Sequence, residues 1–264
     1  MDVTIPLAPT AGALAQALTG WAPDATHSSR RVDPWPAAAF AALLDTNPPP
    51  LRPGDPLPPL WHWFTLLEHP AQAELGADGH PAHGQFLPPI PHRRRMFAGG
   101  RYRHRRPIRI GDDLACRSTL ADVSFKHGRT GELAVVTVRH ELSVDDVPVG
   151  VEEQDILYRS QPEGSPRPQT AVAASDAAPS PSDWRLTLPT DPVLLFRFSA
   201  LTYNGHRIHY DTPYTEGVEG YRAWSYTVRC WRCWRLSCPA GRHRPKPLPS
   251  SATAWSARPS QAPS

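Results

Sequence analysis

The stretch LFRFSALTYNGHRIHYDTPY, residues 195–214, decides how the chain is read. A short apolar run, Leu194, Leu195, Phe196 and Phe198, has the look of a strand and opens onto a polar turn. That turn carries Asn204, Gly205, His206, Arg207, His209 and Asp211 within eight residues. Gly205 lets the backbone turn tightly or admits a ligand closely. Two imidazoles take or give protons near neutral pH, and the Asn204 amide both donates and accepts, so it can hold a water in one orientation. The residues alone leave a second account open, a turn whose polar groups only satisfy backbone atoms.

The segment FSALTYNGHRIHYD resembles the active-site segment of the MaoC-like hydratases and dehydratases of the hot-dog fold. Its closest likeness is to the hydroxyacyl-thioester dehydratase type 2 and mesaconyl-CoA hydratase branch. The wider family motif reads Asp-x-Asn-Pro-[Ile/Leu]-His, so Ile208-His209 matches its final pair and Asn204 stands where most members have the catalytic Asp. An amide is no general base. The resemblance therefore implies that His209 carries the proton transfer while Asn204 orients the water, with Asp211, Arg207 and Gly205 in support. Asp211 is expected to orient the His209 ring.

Working outward, Asp33 caps and Pro34 opens a helix whose Trp35, Ala38, Ala39, Phe40, Leu43 and Leu44 fall at helical spacing. Seven prolines in residues 47–59 end it. Residues 11–18 make a short helix, and the rest of residues 1–31 offers little. LWHWFTLL, residues 60–67, is a core segment, helix or strand. It and GADGHPAHGQFLPPIPHRRRMFAGG, residues 76–100, also resemble the type 2 branch. From Met96 onward the pattern is extended: residues 101–108, 114–120, 133–142 and 152–158 are strands separated by turn formers such as Gly111-Asp112-Asp113 and Asp145-Asp146. Short turns between successive strands predict an antiparallel meander. PIRIGDDL, residues 107–114, resembles a P-x-x-x-G-D turn of hot-dog proteins.

The implied fold is α+β, a tandem or double hot-dog with a truncated second unit. Residues 1–159 form an N-terminal MaoC-like unit, 160–183 a linker rich in Pro, Ser and Ala, and 184–221 the start of the catalytic unit. The resemblance stops at Tyr221. Residues 222–264 hold three of the four Cys and four of the nine Trp, with no helical or strand period. Where the family continues Pro-Gly-Leu-Val-Val-His-Gly-Pro-Leu, this chain has RAWSYTVRCWRCWRL. Written in G/C-ending codons and preceded by one added C, Arg222 to Arg235 reads Pro-Gly-Leu-Val-Val-His-Gly-Pro-Leu-Leu-Ala-Leu-Leu-Ala. A frameshift just after Tyr221 and a disordered tail are the expectation. The zinc-like set Cys230, Cys233, Cys238 and His243 is a by-product of the same event, and no metal is expected.

The implied activity is that of a hydro-lyase for enoyl or 3-hydroxyacyl thioesters, mesaconyl-CoA among them. Its substrate is a small-molecule acyl-CoA or an acyl-carrier-protein thioester, and no cofactor is implied. The alternatives are a non-catalytic remnant that binds acyl groups or a partner, and a hot-dog thioesterase. A formal charge of +3 on 264 residues gives no argument for a nucleic-acid partner. The absence of a long apolar run gives none for a membrane, so a cytoplasmic protein is expected; a homodimer is a further expectation, separate from this. The basic cluster His92-Arg93-Arg94-Arg95 with Arg101, Arg103, Arg105 and Arg106 reads as a solvated strand face or as contacts for coenzyme A phosphates.

Overall fold

The computed structural model describes residues 12–46, 50–128, 131–161 and 191–219, together with the backbone of Thr253–Ser256. Helix α1 (Ala13–Ala17), strand β1 (Thr26–Arg31) and helix α2 (Pro34–Leu43) precede a buried 3₁₀ turn at Trp61–Phe64. Four long strands follow, β2 (Arg93–His104), β3 (Asp113–Gly128), β4 (Gly131–Val144) and β5 (Val147–Ser160). Helices α3 (Pro192–Leu201) and α4 (Thr212–Gly217) and strand β6 (Thr253–Ser256) complete the set. The fold is α+β, with an antiparallel sheet ordered β1-β3-β4-β5-β2-β6.

The three Asp-led helix starts share one device. Asp33 Oδ1 accepts the Trp35 N–H at 2.7 Å, Asp191 Oδ1 the Leu194 N–H at 2.8 Å, and Asp211 Oδ1 the Tyr214 N–H at 3.0 Å, each with a proline in the first two helical positions. Such caps satisfy amides that have no intrahelical partner. The apolar run at 194–198 is therefore helical, against its strand-like reading. Leu195, Phe198, Ser199 and Leu201 are buried while Val193 and Phe196 are exposed, which is a helical and not an alternating pattern.

Strands β3, β4 and β5 form the expected meander, but β2 pairs with β5 and not with β3. The connection after β2 crosses over: Arg105 and Arg106 N–H both donate to Val149 O, and the P-x-x-x-G-D turn then docks on the N-terminal segment through Gly111 N–H to Val32 O. β1, which carries no hydrophobic alternation, pairs with β3 and holds Thr26 opposite Ser118. Ser160 closes β5 and so belongs to the sheet, where the linker was expected to begin. The remaining linker lies outside the described residues except Gln161. The expectation for residues 222–264 also lies outside them, apart from β6, whose backbone pairs with β2 where the sequence offers no strand period.

One core joins α2, the 3₁₀ turn, α3 and one end of the sheet through Phe40, Trp61, Phe64, Leu114, Val149 and Phe198. The Phe40 ring meets those of Trp61 at 5.0 Å, Phe64 at 4.8 Å and Phe198 at 6.1 Å, so α3 is anchored on the N-terminal half. A second core gathers Leu14, Ile90, Val136, Ile156 and Tyr158. Between strands runs a polar row, Ser118, His140, Glu152 and Tyr102 in register on β3, β4, β5 and β2. Glu152 is 2% exposed and accepts from His62 Nε2 at 3.0 Å, Trp63 Nε1 at 2.8 Å and Gln154 Nε2 at 2.7 Å. Burial raises the pKa of its carboxyl, but the hydrogen bond and charge of His62 and the Trp63 N–H outweigh that and hold it down at about 2.

Candidate active site

α3 delivers the polar turn. Its C-terminal carbonyl at Ser199 accepts the Asn204 N–H at 2.8 Å, Asn204 Oδ1 accepts the His206 N–H at 3.1 Å, and His206 O accepts the His209 N–H at 3.2 Å. Asn204 thus closes an Asx turn, which leaves the NH₂ end of its amide as the group to offer a ligand. Ile208 and His209 lie in a 3₁₀ turn, Arg207–His209, and both are buried. The His209 ring meets the His206 ring edge to face, with centroids 5.3 Å apart at 83°.

Asp211, expected to orient the His209 ring, is bonded to Arg207 and to the start of α4. Asp211 Oδ2 accepts from Arg207 Nε at 2.9 Å and Nη2 at 2.7 Å, and Asp211 Oδ1 caps α4. Its two oxygens are committed to Arg207 and to the cap. Arg207 is a clamp: its N–H donates to Asp78 O at 2.9 Å, its Nη1 to Ala77 O at 3.1 Å, and its guanidinium lies 4.0 Å over the Tyr214 ring. Gly205 admits a neighbouring backbone: a Cβ there would stand 2.9 Å from Gly79 O.

That neighbour belongs to the N-terminal half. Residues 74–82 form a tight hairpin, closed by Gly76 N–H to His80 O at 2.7 Å and Ala82 N–H to Glu74 O at 2.8 Å, and Arg93 on β2 donates to Ala82 O and Pro88 O. The hairpin brings Asp78 and His80 to the turn. His80 stacks on His206 with ring centroids 3.9 Å apart, and Asp78 accepts from the His80 N–H at 3.0 Å and from its Nδ1 at 3.2 Å. Burial lowers the pKa of His80 below the usual imidazole range, against the pull of Asp78. Burial, followed by the charges of His80 and His209, pushes His206 down to about 2. Burial raises the pKa of Asp78, but its bonds to His80 together hold it below the usual carboxylate range.

Asp78 and His80 were not among the expected site residues although the segment that carries them was quoted. A Gly-Ala-Asp-Gly-His-Pro turn holding an acid and an imidazole was the available signal. Donor atoms of Asp78, His80 and His206 lie within 4.8 Å of one another. Both Asp78 oxygens already accept from His80, however, and the positive charge of Arg95 acts on both rings, which weighs against a bound cation. A surface groove lined by Arg30, Arg31, Trp35 and Phe64 includes none of these residues. Three arginines of the basic cluster are already engaged, Arg94 with Glu219, Arg101 with Glu153 and Asp155, and Arg93 with carbonyls. Among the described residues no helix is long and apolar enough to cross a membrane.

The joint yields a prediction. Gly79 has φ +84°, and a Cβ there would stand 1.9 Å from Gly205 O, whereas Gly54 has φ +89° in open space. Gly79→Ala is expected to lower stability by more than the roughly 1 kcal/mol that a strained φ costs, and Gly54→Ala by that cost alone. Thermal unfolding of the two variants side by side checks this; equal losses would remove the glycine contact from the account.

An antiparallel sheet packs on an anchoring helix, and the turn that follows this helix carries Asn204 and His209. Residues 60–224 match the model of the hydroxyacyl-thioester dehydratase type 2 family, and the chain belongs to that family. It is 46% identical over 187 residues to the mesaconyl-C(4)-CoA hydratase of Chloroflexus aurantiacus, an alignment covering 70% of this chain and 65% of that protein. The chain thus spans just under two thirds of the length of this curated relative. The crystal structure of HtdX from Mycobacterium tuberculosis superposes with a TM-score of 0.50 at 15% identity, covering 83% of this chain and 78% of that one, and so shares the fold.

Proposed function

We propose that the chain is a hydro-lyase that adds water reversibly to the double bond of an enoyl thioester, with a mesaconyl-type acyl-CoA or an acyl-carrier-protein thioester as substrate. The observation that carries this is the turn itself: Asn204 and His209 are locked to one another through the His206 backbone, in a chain of the type 2 dehydratase family. His209 takes a proton from water as the oxygen bonds to Cβ. The π electrons move onto the thioester carbonyl, and the proton passes back through His209 to Cα, so that H and OH are added and the thioester bond is kept. Asn204 orients the water through its NH₂ group. The developing oxyanion needs a backbone N–H donor; the resemblance places that donor at the start of the second hot-dog helix, whose sequence this chain does not carry after Tyr221.

The architecture we propose is a tandem hot-dog whose second unit is cut short by a change of reading frame after Tyr221. The match to the family ends at residue 224 while the chain runs on to 264, which supports this. On this reading the chain as it stands turns over poorly, and the frame-restored chain, in the cytoplasm and as a homodimer, is the competent enzyme.

The test follows enoyl-thioester absorbance and release of free thiol in parallel. Loss of absorbance without thiol supports a hydratase, and thiol release means a thioesterase. Asn204→Asp is expected to keep measurable turnover, because a carboxylate accepts the same His206 N–H and recreates the commoner Asp and His pair, whereas Asn204→Leu loses both. Equal loss in the two variants would mean that the amide donor itself is required.

A further inference from the structure

Four side chains from two distant parts of the sequence stand in a row: Asp78 and His80 on the hairpin, His206 and His209 on the turn. Asp78 is ionised, so the 3.2 Å contact has His80 Nδ1–H as donor and Asp78 Oδ2 as acceptor. This fixes the His80 tautomer and leaves Nε2 with its lone pair. The second Asp78 oxygen holds the His80 backbone N–H, so the carboxylate fixes both the ring and the chain that bears it. His80 then lies on the His206 ring at 3.9 Å, and His206 meets His209 edge to face at 5.3 Å. His206 and His209 are 9% and 7% exposed.

His206 is the pivot of the turn. Its N–H donates to Asn204 Oδ1 and its carbonyl accepts the His209 N–H, while its ring lies between those of His80 and His209, so a shift of His206 is felt by both groups assigned to the chemistry. We infer that the Asp78–His80 pair is a positioning element of the active site, supplied by the N-terminal half, which holds the His206 ring and through it sets the orientation and proton affinity of His209. The inference rests on the reading of His209 as the acid/base group. It assigns a task to an Asp and His pair that otherwise has none.

Among the described residues, charged groups beside the row come from β2, from the 207–211 turn and from beyond α4. Arg95 on β2 acts on His80 and His206, and Glu219, beyond α4, acts on His80. Arg207 and Asp211 neutralise one another beside the turn. Burial keeps His80 and His206 neutral at neutral pH, so the row presents His209 with a fixed dipole in place of a second cation.

The test uses the full chain with ¹⁵N-labelled histidine, comparing wild type with Asp78→Asn, His80→Gln and Gly79→Ala. His80→Gln is expected to move the titration midpoint of His209, and Asp78→Asn to change the Nδ1 signature of His80 from a single tautomer to a mixture. A His209 titration in His80→Gln that superposes on that of wild type would overturn the inference. In the frame-restored chain His80→Gln is expected to lower kcat by about 10²-fold, the scale of a misplacement of about 1 Å, with KM little changed and the pH profile displaced. Gly79→Ala, which opens the joint, is expected to raise KM as well; identical kinetics and titrations in the two variants would reduce His80 to a docking contact and overturn the inference too. If the frame-restored chain without further substitution shows neither thioester hydration nor dehydration while the His209 shift is present, the hydratase reading fails and the coupling stands.

Discussion

Replacing His209 by alanine in the frame-restored chain is expected to lower hydration of an enoyl thioester by about 10²-fold or more, the loss typical when a general acid/base is removed. The ring is buried and sits beside His206, and its backbone N–H, which the substitution keeps, holds the 3₁₀ turn. The turn should therefore survive and the chemistry should not. Steady-state kinetics with a thermal melt of the same sample checks both halves: an unchanged melting temperature with a collapsed kcat is the expected pair. Turnover within a few-fold of wild type would remove His209 from the mechanism.

The second large effect concerns the buried anion of the sheet. Glu152→Leu leaves His62 Nε2, Trp63 Nε1 and Gln154 Nε2 without the carboxylate that each of them meets. Breaking such a buried charged network from one side costs about 3–5 kcal/mol, a large share of the stability of a domain. Denaturant unfolding is the measurement. Glu152→Gln keeps an acceptor and should cost less. The same carboxyl, held at about 2 against an ordinary 4.5, binds a proton more weakly folded than unfolded. Its contribution is complete above about 4.5 and is lost as pH falls toward 2. The Gln variant should lose that part of the acid dependence while the variant's melt at neutral pH stays cooperative.

The elements that the sequence made legible are those with an unambiguous local signal. Asp33-Pro34 marked α2, and the β-branched run of 134–138 marked β4. The same Asp-Pro signal stood at 191–192, but a short run with four apolar residues at 194–198 fits a strand and a helix equally well, and the helix was missed. β1 was illegible because THSSRR has no apolar face; its place is set by pairing with β3. The pairing of β2 with β5 depends on a crossover that no local pattern encodes. For the candidate site, a motif singled out Asn204 and His209, with Gly205, Arg207 and Asp211 beside them, and the structure brings these residues onto one turn. Asp78 and His80 were not singled out, since only the fold brings a hairpin about 126 residues upstream against that turn. The Arg207 clamp and the Gly79 and Gly205 contact are equally a matter of tertiary approach.

The central claim, that the turn at 204–209 adds water to an enoyl thioester, is tested most directly by the mass of the product. An enoyl-CoA incubated with the frame-restored chain is expected to gain the mass of one water with its thioester intact, in wild type and not in the double variant Asn204→Leu with His209→Ala. An unaltered enoyl-CoA, free coenzyme A in place of the hydrated thioester, or equal hydration by the double variant would contradict it.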